Sequence, residues 1–236
     1  MTLTANQIST DLREIADQER AQSAQRFFKT GKGEYGEGDI FLGIRVPMLR
    51  KKIRPCAAIS IHELTRLLRS PYHEERLLAL MIFVYRFERG EEVLRNRIYK
   101  LYLGNTQHIN NWDLVDSSAS QIVGAHLANK STQPLIDLAA SENLWERRIA
   151  IIATHWFIRM HRYDETLKIA HLLIGDDQDL IHKAVGWMLR EVGKRNQQIE
   201  VDFLESHYRR MPRTMLRYAI ERFPEEKRQG YLKGRI

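Results

Sequence analysis

The sequence predicts an all-α fold, a curved solenoid of about six antiparallel helical pairs with no sheet. Three observations lead there. Apolar residues recur at three- and four-residue spacing, in Leu64, Leu67 and Leu68, in Leu77, Leu80, Met81 and Val84, and in Ile149, Ile152 and Trp156. No stretch sustains the alternation between turn signals that a half-buried strand requires. A short motif also returns at a fixed interval. Ser70-Pro71-Tyr72-His73-Glu74-Glu75-Arg76-Leu77-Leu78-Ala79 is matched by Ser141-Glu142-Asn143-Leu144-Trp145-Glu146-Arg147-Arg148-Ile149-Ala150, and again by the segment from Asp176 to Val185. The starts lie 71 and 35 residues apart, and Arg217-Tyr218-Ala219 continues the series 34 residues after Lys183.

A period of this length marks stacked helical pairs of a degenerate HEAT-like type, because one pair alone cannot bury its apolar face. The inner helices are expected near 72–88, 112–128, 144–161, 178–194 and 212–223. Local signals agree. Pro47 sits in the first turn of a helix over Met48 to Ile53, and Ser60 with Glu63 has the spacing of a capping box. Gly90, Gly104 and Gly175 fall where helices should stop. The expected organisation is one domain, 1–236, with N-terminal helices over 1–30, a Gly-rich loop over 31–39 and the repeat array over 40–236.

Composition narrows the function classes. With 43% hydrophobic residues the chain can bury a core, and 13 Gly and 6 Pro in 236 residues suit helices. A single cysteine, Cys56, allows no intrachain disulfide, and its apolar helix end suggests a buried, inert thiol; the expected compartment is cytoplasmic. The polar start, Met1 to Asp11, carries no signal-peptide core, and the apolar runs, such as Leu77 to Tyr85, are too short to span a bilayer. No metal site and no cofactor are expected: the nine histidines include no His-x-x-x-His pair. The net charge of +7 favours a polyanionic partner only if the charge is gathered on one face.

The chemistry-bearing segments are few. In Asn111-Trp112-Asp113-Leu114-Val115-Asp116, Trp112 and Asp116 share a helix face, an arrangement suited to a cationic partner. The competing reading puts Trp112 in the core and leaves Asp116 solvated. Arg147 and Arg148 leave adjacent faces, so one can clamp a phosphate while the other pairs with Glu142 or Glu146. Lys183, Trp187, Arg190 and Lys194 form a basic stripe around one indole, fit either for a nucleic-acid face or for the margin of a core. Gly186 is awkward in mid-helix and suggests close packing of another helix or of DNA backbone. Arg210, Arg213 and Arg217 have the spacing of a further cationic face. The Gly-rich segment from Lys29 to Asp39 lacks the P-loop pattern, and a flexible connection is its simpler reading.

Four blocks in order, Phe41-Leu42-Gly43-Ile44, Asn111 to Asp116, Asn143 to Arg148, and Lys183 to Glu191, give the chain a resemblance to the AlkD-type DNA alkylation repair glycosylases, from about residue 20 to 195. The resemblance implies excision of cationic 3- and 7-alkylpurines from double-stranded DNA, without base flipping; a monomer is the expected state, since a concave DNA clamp works as one. It maps the lesion-site residues onto Trp112, Asp116, Arg148 and Trp187, and a DNA-contacting tyrosine onto Phe27, which lacks the hydroxyl. Lys183, Arg190, Arg147, Lys194, Arg213 and Arg217 are the remaining expected DNA contacts. In this scheme Asp116 stabilises an oxocarbenium-like sugar and activates water, the two tryptophans pack on the deoxyribose, and Arg148 holds a phosphate. The alternative is a non-catalytic HEAT-repeat protein that binds DNA or serves as a scaffold.

Overall fold

The structure, a computed structural model, describes residues 3–236; Met1 and Thr2, the first residues of the polar start, lie outside the described residues. Among these residues there is no strand, only an isolated bridge between Ile40 and Tyr72. Among the described residues no helix is long and apolar enough to cross a membrane. The chain divides into two compact units, Met1–Ser118 and Ala119–Ile236.

The first unit holds α1 (Ala5–Glu14), α2 (Gln18–Phe27), α3 (Val46–Cys56), α4 (Ile61–Leu68), α5 (His73–Arg89), α6 (Glu92–Leu103) and α7 (Trp112–Asp116). Helix α5 is its centre. Leu77, Leu78, Leu80 and Ile82 are buried to 3% exposure or less, and α3, α4 and α6 all pack on this helix. Ser60 caps α4 by accepting from the Glu63 N–H at 3.1 Å. Its expected reciprocal bond is absent, because the Glu63 carboxylate instead accepts from the Ala5 N–H at 2.8 Å and so ties α1 to α4. A full capping box forms at α1, where Thr4 and Gln7 satisfy each other's backbone N–H. Cys56 is buried, and burial pushes its thiol up, which makes it inert.

The second unit holds α8 (Ala125–Leu127), α9 (Gln133–Ala139), α10 (Leu144–Ala153), α11 (His155–Arg159), α12 (Asp164–Leu172), α13 (Asp179–Gly193), α14 (Gln197–His207), α15 (Arg213–Ala219) and α16 (Glu225–Leu232). Helices α10, α13 and α15 pack in series, with α9, α12 and α14 against them. Their starts at 144, 179 and 213, and that of α5 at 73, keep the register of the sequence repeat. Gly186 is explained by a helix: a Cβ there would lie 2.4 Å from the Met215 carbonyl oxygen and 2.5 Å from Tyr218 Cβ, so α13 meets the backbone of α15 directly.

Two expected long helices are interrupted. The helix expected over 112–128 stops at Asp116 and resumes as a π-turn, Ser120–Gly124, before α8. Ser118 Oγ donates to the Leu114 carbonyl at 2.5 Å, one of the local side-chain bonds that compete with helical pairing. The helix expected over 144–161 breaks at Thr154, whose hydroxyl donates to the Ile151 carbonyl at 2.7 Å. Arg210 also departs from expectation. It lies in the turn before Pro212, off the helix that carries Arg213 and Arg217.

Glu200 on α14 is buried to 2% exposure, and its Oε1 has no hydrogen-bond partner. Burial pushes its carboxyl up to about 8, although Arg190 and Lys227 pull the other way. The folded state therefore holds a proton that the unfolded chain releases near its ordinary value of 4.5. Stability should fall as pH rises from 4.5 to about 8 and then level off. Glu200→Gln is expected to remove that slope and to raise Tm at pH 9 by about 5 °C, read by thermal denaturation across pH.

Candidate functional site

In the first unit the functional side chains are gathered around α7. Asn111 caps this short helix, accepting from the Trp112 N–H at 2.8 Å. Leu114 and Val115 are fully buried, whereas Trp112 and Asp116, one turn apart, are half-buried on the other face. The indole of Trp112 stacks on Phe28 at 5.2 Å and 17°, and Phe28 stacks in turn on Phe41 at 4.9 Å. Phe27 packs edge-on to Trp112 at 6.0 Å and is 66% exposed, large exposure for a phenyl ring. Asp116 lies close enough to buried Tyr102 that, after burial itself, its negative charge also raises the phenol; the Ser118 hydrogen bond opposes both.

Below the ring stack lies a buried charge cluster that the sequence reading missed. His73, the first residue of α5, has Nδ1 2.9 Å from Asp39 and Nε2 2.8 Å from Asp113. Asp39 also pairs with Arg76 and accepts from Asn111 at 3.3 Å. Burial opposes charge on His73, yet the hydrogen bonds and charges of Asp113 and Asp39 carry it up to about 9. Burial likewise acts against the Asp39 carboxylate, but His73 and Arg76 outweigh it and hold the group below its ordinary range. The available signal was His73 at the helix-start position of the first repeat motif; nothing in the spacing linked it to residues 39 and 113.

The Gly-rich segment has its own internal bonding. The Gly31 and Gly33 N–H groups donate to the carboxylates of Glu34 and Glu37, both at 2.9 Å. Donors that a phosphate would need are already paired, and the loop's visible task is to deliver Asp39 to His73. The Phe-Leu-Gly-Ile block is held by Glu74, whose buried carboxylate accepts from the N–H groups of Leu42 and Gly43 at 2.8 Å and of Ile44 at 3.2 Å. Gly43 has φ +77°, and a Cβ there would sit 2.1 Å from the Asp17 carbonyl, so no other residue fits.

In the second unit Trp187 is half-buried, and its indole N–H donates to Glu191 at 3.2 Å. Lys194 and Arg195 hold Glu191 at 2.5 and 3.2 Å, keeping its carboxyl below the usual range against the effect of burial. The cations of the stripe are interleaved with carboxylates: Lys183 with Asp179 at 2.7 Å, and Arg190 with Glu221. Arg147 pairs with Asp176 at 2.6 Å, not with Glu142 or Glu146 through their carboxylates, and donates to the Ser141 and Glu142 carbonyls. Arg148 is buried to 5% exposure and donates to the Leu180 carbonyl. Arg213 is exposed and donates to the Leu232 carbonyl at 2.7 Å; Arg217 is exposed. Of the four tryptophans only Trp145 is fully withdrawn into the core, at 7% exposure; Trp112 and Trp187 lie at its margin.

The fold is a helical-repeat one, with partly buried indoles near carboxylates in each unit and arginines and lysines along successive helices of the second. The chain belongs to the DNA alkylation repair enzyme family, which it matches over residues 8–223. It is similar in fold to a solved structure described as a predicted DNA alkylation repair enzyme from Enterococcus faecalis, with TM-score 0.68 and 17% identity over 89% of this chain and 97% of that one. No curated protein matches the sequence significantly. The resemblance seen in the four sequence blocks is thus met at the level of family and of fold, and the family assigns an enzymatic role in DNA alkylation repair.

Proposed function

We propose that the protein is a monofunctional DNA glycosylase that excises cationic N-alkylated purines, 3- and 7-alkylated ones in particular, from duplex DNA. The observation that carries this reading is the pair on α7: a half-buried indole, fixed by stacking on Phe28, one helical turn from a half-buried carboxylate. An N-alkylpurinium leaves as a neutral base, so its departure needs no general acid. The N-glycosidic bond breaks with its electron pair moving to the base, and positive charge gathers on the deoxyribose. A fixed carboxylate such as Asp116 stabilises that charge and accepts a proton from the water that attacks C1′. The face of Trp112 favours a cationic sugar, and Trp187, on α13 of the second unit, is assigned by the family resemblance alone. Arg148 is assigned a phosphate contact, which requires its buried guanidinium, now donating to the Leu180 carbonyl, to turn outward.

The outer cations, Lys183, Arg190, Arg147, Lys194, Arg213 and Arg217, are assigned to the DNA backbone, with Phe27 as an apolar contact. Several of them carry carboxylate partners, so phosphates must displace or share those pairs, and binding should weaken steeply with salt. The direct test is base release from duplex DNA containing 7-methylguanine or 3-methyladenine. Free methylated base, with an intact abasic strand and no strand cleavage, is the expected product. Binding without release would replace the enzyme reading with the non-catalytic one.

A further inference from the structure

We infer that His73 is a positioning residue for the proposed reaction: its ring, lodged between Asp39 and Asp113, fixes the first turn of α7 and so the placement of Trp112 and Asp116. Both ring nitrogens face carboxylate oxygens, at 2.9 and 2.8 Å. A neutral imidazole has one N–H donor, which would leave its lone pair against one carboxylate; only the imidazolium donates to both. The ring is 1% exposed, so water cannot replace a missing bond. Asp113 follows Trp112 directly, and its other oxygen accepts from the Leu114 N–H at 2.9 Å, which closes the start of α7. A second connection runs through the rings. His73 stacks on Phe41 at 4.4 Å and lies 5.1 Å from Phe28, the ring on which Trp112 rests.

The charges around the ring come from every element that meets it. The Gly-rich loop supplies Asp39, α7 supplies Asp113, and α5 supplies Arg76, which pairs with Asp39. Glu74, also on α5, is turned away onto the amides of 42–44, and Arg20 of α2 and Arg45, just before α3, line the same hollow of about 190 Å³. Within the ion-paired cluster itself, His73 and Arg76 balance Asp39 and Asp113 while His73 is protonated. Loss of its proton leaves a ring lone pair facing one of the two carboxylates, which breaks one arm of the bridge from Asp39 to the start of α7. Against the effect of burial, the hydrogen bonds and charges of Asp113 and Asp39 raise His73 from its ordinary 6.5 to about 9, so the ring is protonated at neutral pH and the lock is lost as pH rises through 9.

The inference rests on the glycosylase reading for the reaction it serves, but its test does not. Protein labelled with 5-fluorotryptophan, with the Trp112 signal assigned by its loss in Trp112→Phe, is titrated by fluorine NMR from pH 6 to 10.5. The Trp112 signal is expected to shift with a midpoint near 9. Asp39→Asn, which removes one carboxylate partner, should move that midpoint down by about one unit or more. Base release should fall at least tenfold through the same midpoint, in kcat and not in KM. A Trp112 signal that does not titrate, or that keeps its midpoint in Asp39→Asn, overturns the inference. Absence of base release at all pH values, with the Trp112 titration intact, would sink the glycosylase reading and leave His73's positioning role standing.

Discussion

Asp116→Asn is expected to lower the rate of base release by a factor of about 100 or more, with little change in duplex affinity, since loss of one preorganised electrostatic group at a developing charge costs on the order of 3–4 kcal/mol. Asparagine keeps the size of the side chain and its place on α7 but carries neither the negative charge nor the basic oxygen. Single-turnover release of 7-methylguanine separates chemistry from binding and product release. Affinity should survive because the cations proposed to meet phosphates lie elsewhere, and removing a negative charge does not oppose binding of a polyanion. An unchanged rate in Asp116→Asn would move the charge-stabilising role off this residue and leave the Trp112 face without its chemical purpose.

Glu74→Ala is the substitution expected to cost most stability. Its carboxylate is the acceptor for three consecutive backbone N–H groups in a segment that is itself buried. Alanine leaves those donors without a partner and opens a cavity, at a cost of about 3–5 kcal/mol. Glu74→Gln keeps one acceptor oxygen and should lose roughly half as much. Denaturant unfolding reads both. The damage should reach the site, because Phe41 belongs to the anchored segment and underlies Phe28, on which Trp112 stacks. A well-folded Glu74→Ala protein with undiminished stability would show that the 41–44 segment is held by its apolar contacts alone.

Much of the fold was legible because helical burial writes itself into spacing. The repeat at Ser70, Ser141 and Asp176 located α5, α10 and α13, and the shared face of Trp112 and Asp116 followed from their separation by one turn. What stayed hidden depends on contacts between residues distant in sequence. Asp39 and His73 are 34 positions apart, and His73 and Asp113 are 40 apart. No local pattern records such a pairing. The same holds for Arg147, whose partner proved to be Asp176 in the next repeat in place of a neighbouring glutamate. The breaks at Ser118 and Thr154 were also invisible to periodicity, since a hydroxyl that bonds back to its own helix leaves the apolar pattern intact.

The contact of α13 with α15 at Gly186 has a consequence for how the second unit could follow a duplex. Where two helices touch through bulky side chains, their separation can drift as those side chains change. Here one main chain lies against another, so the interval is set by atoms that substitution does not alter. Lys183 and Arg190 ride on one helix and Arg213 and Arg217 on the next. Their spacing is therefore a fixed gauge, tuned once by the absence of a side chain. Under the proposed DNA-contact role these four cations keep one interval, and any residue larger than glycine at 186 would push the two helices apart and change it.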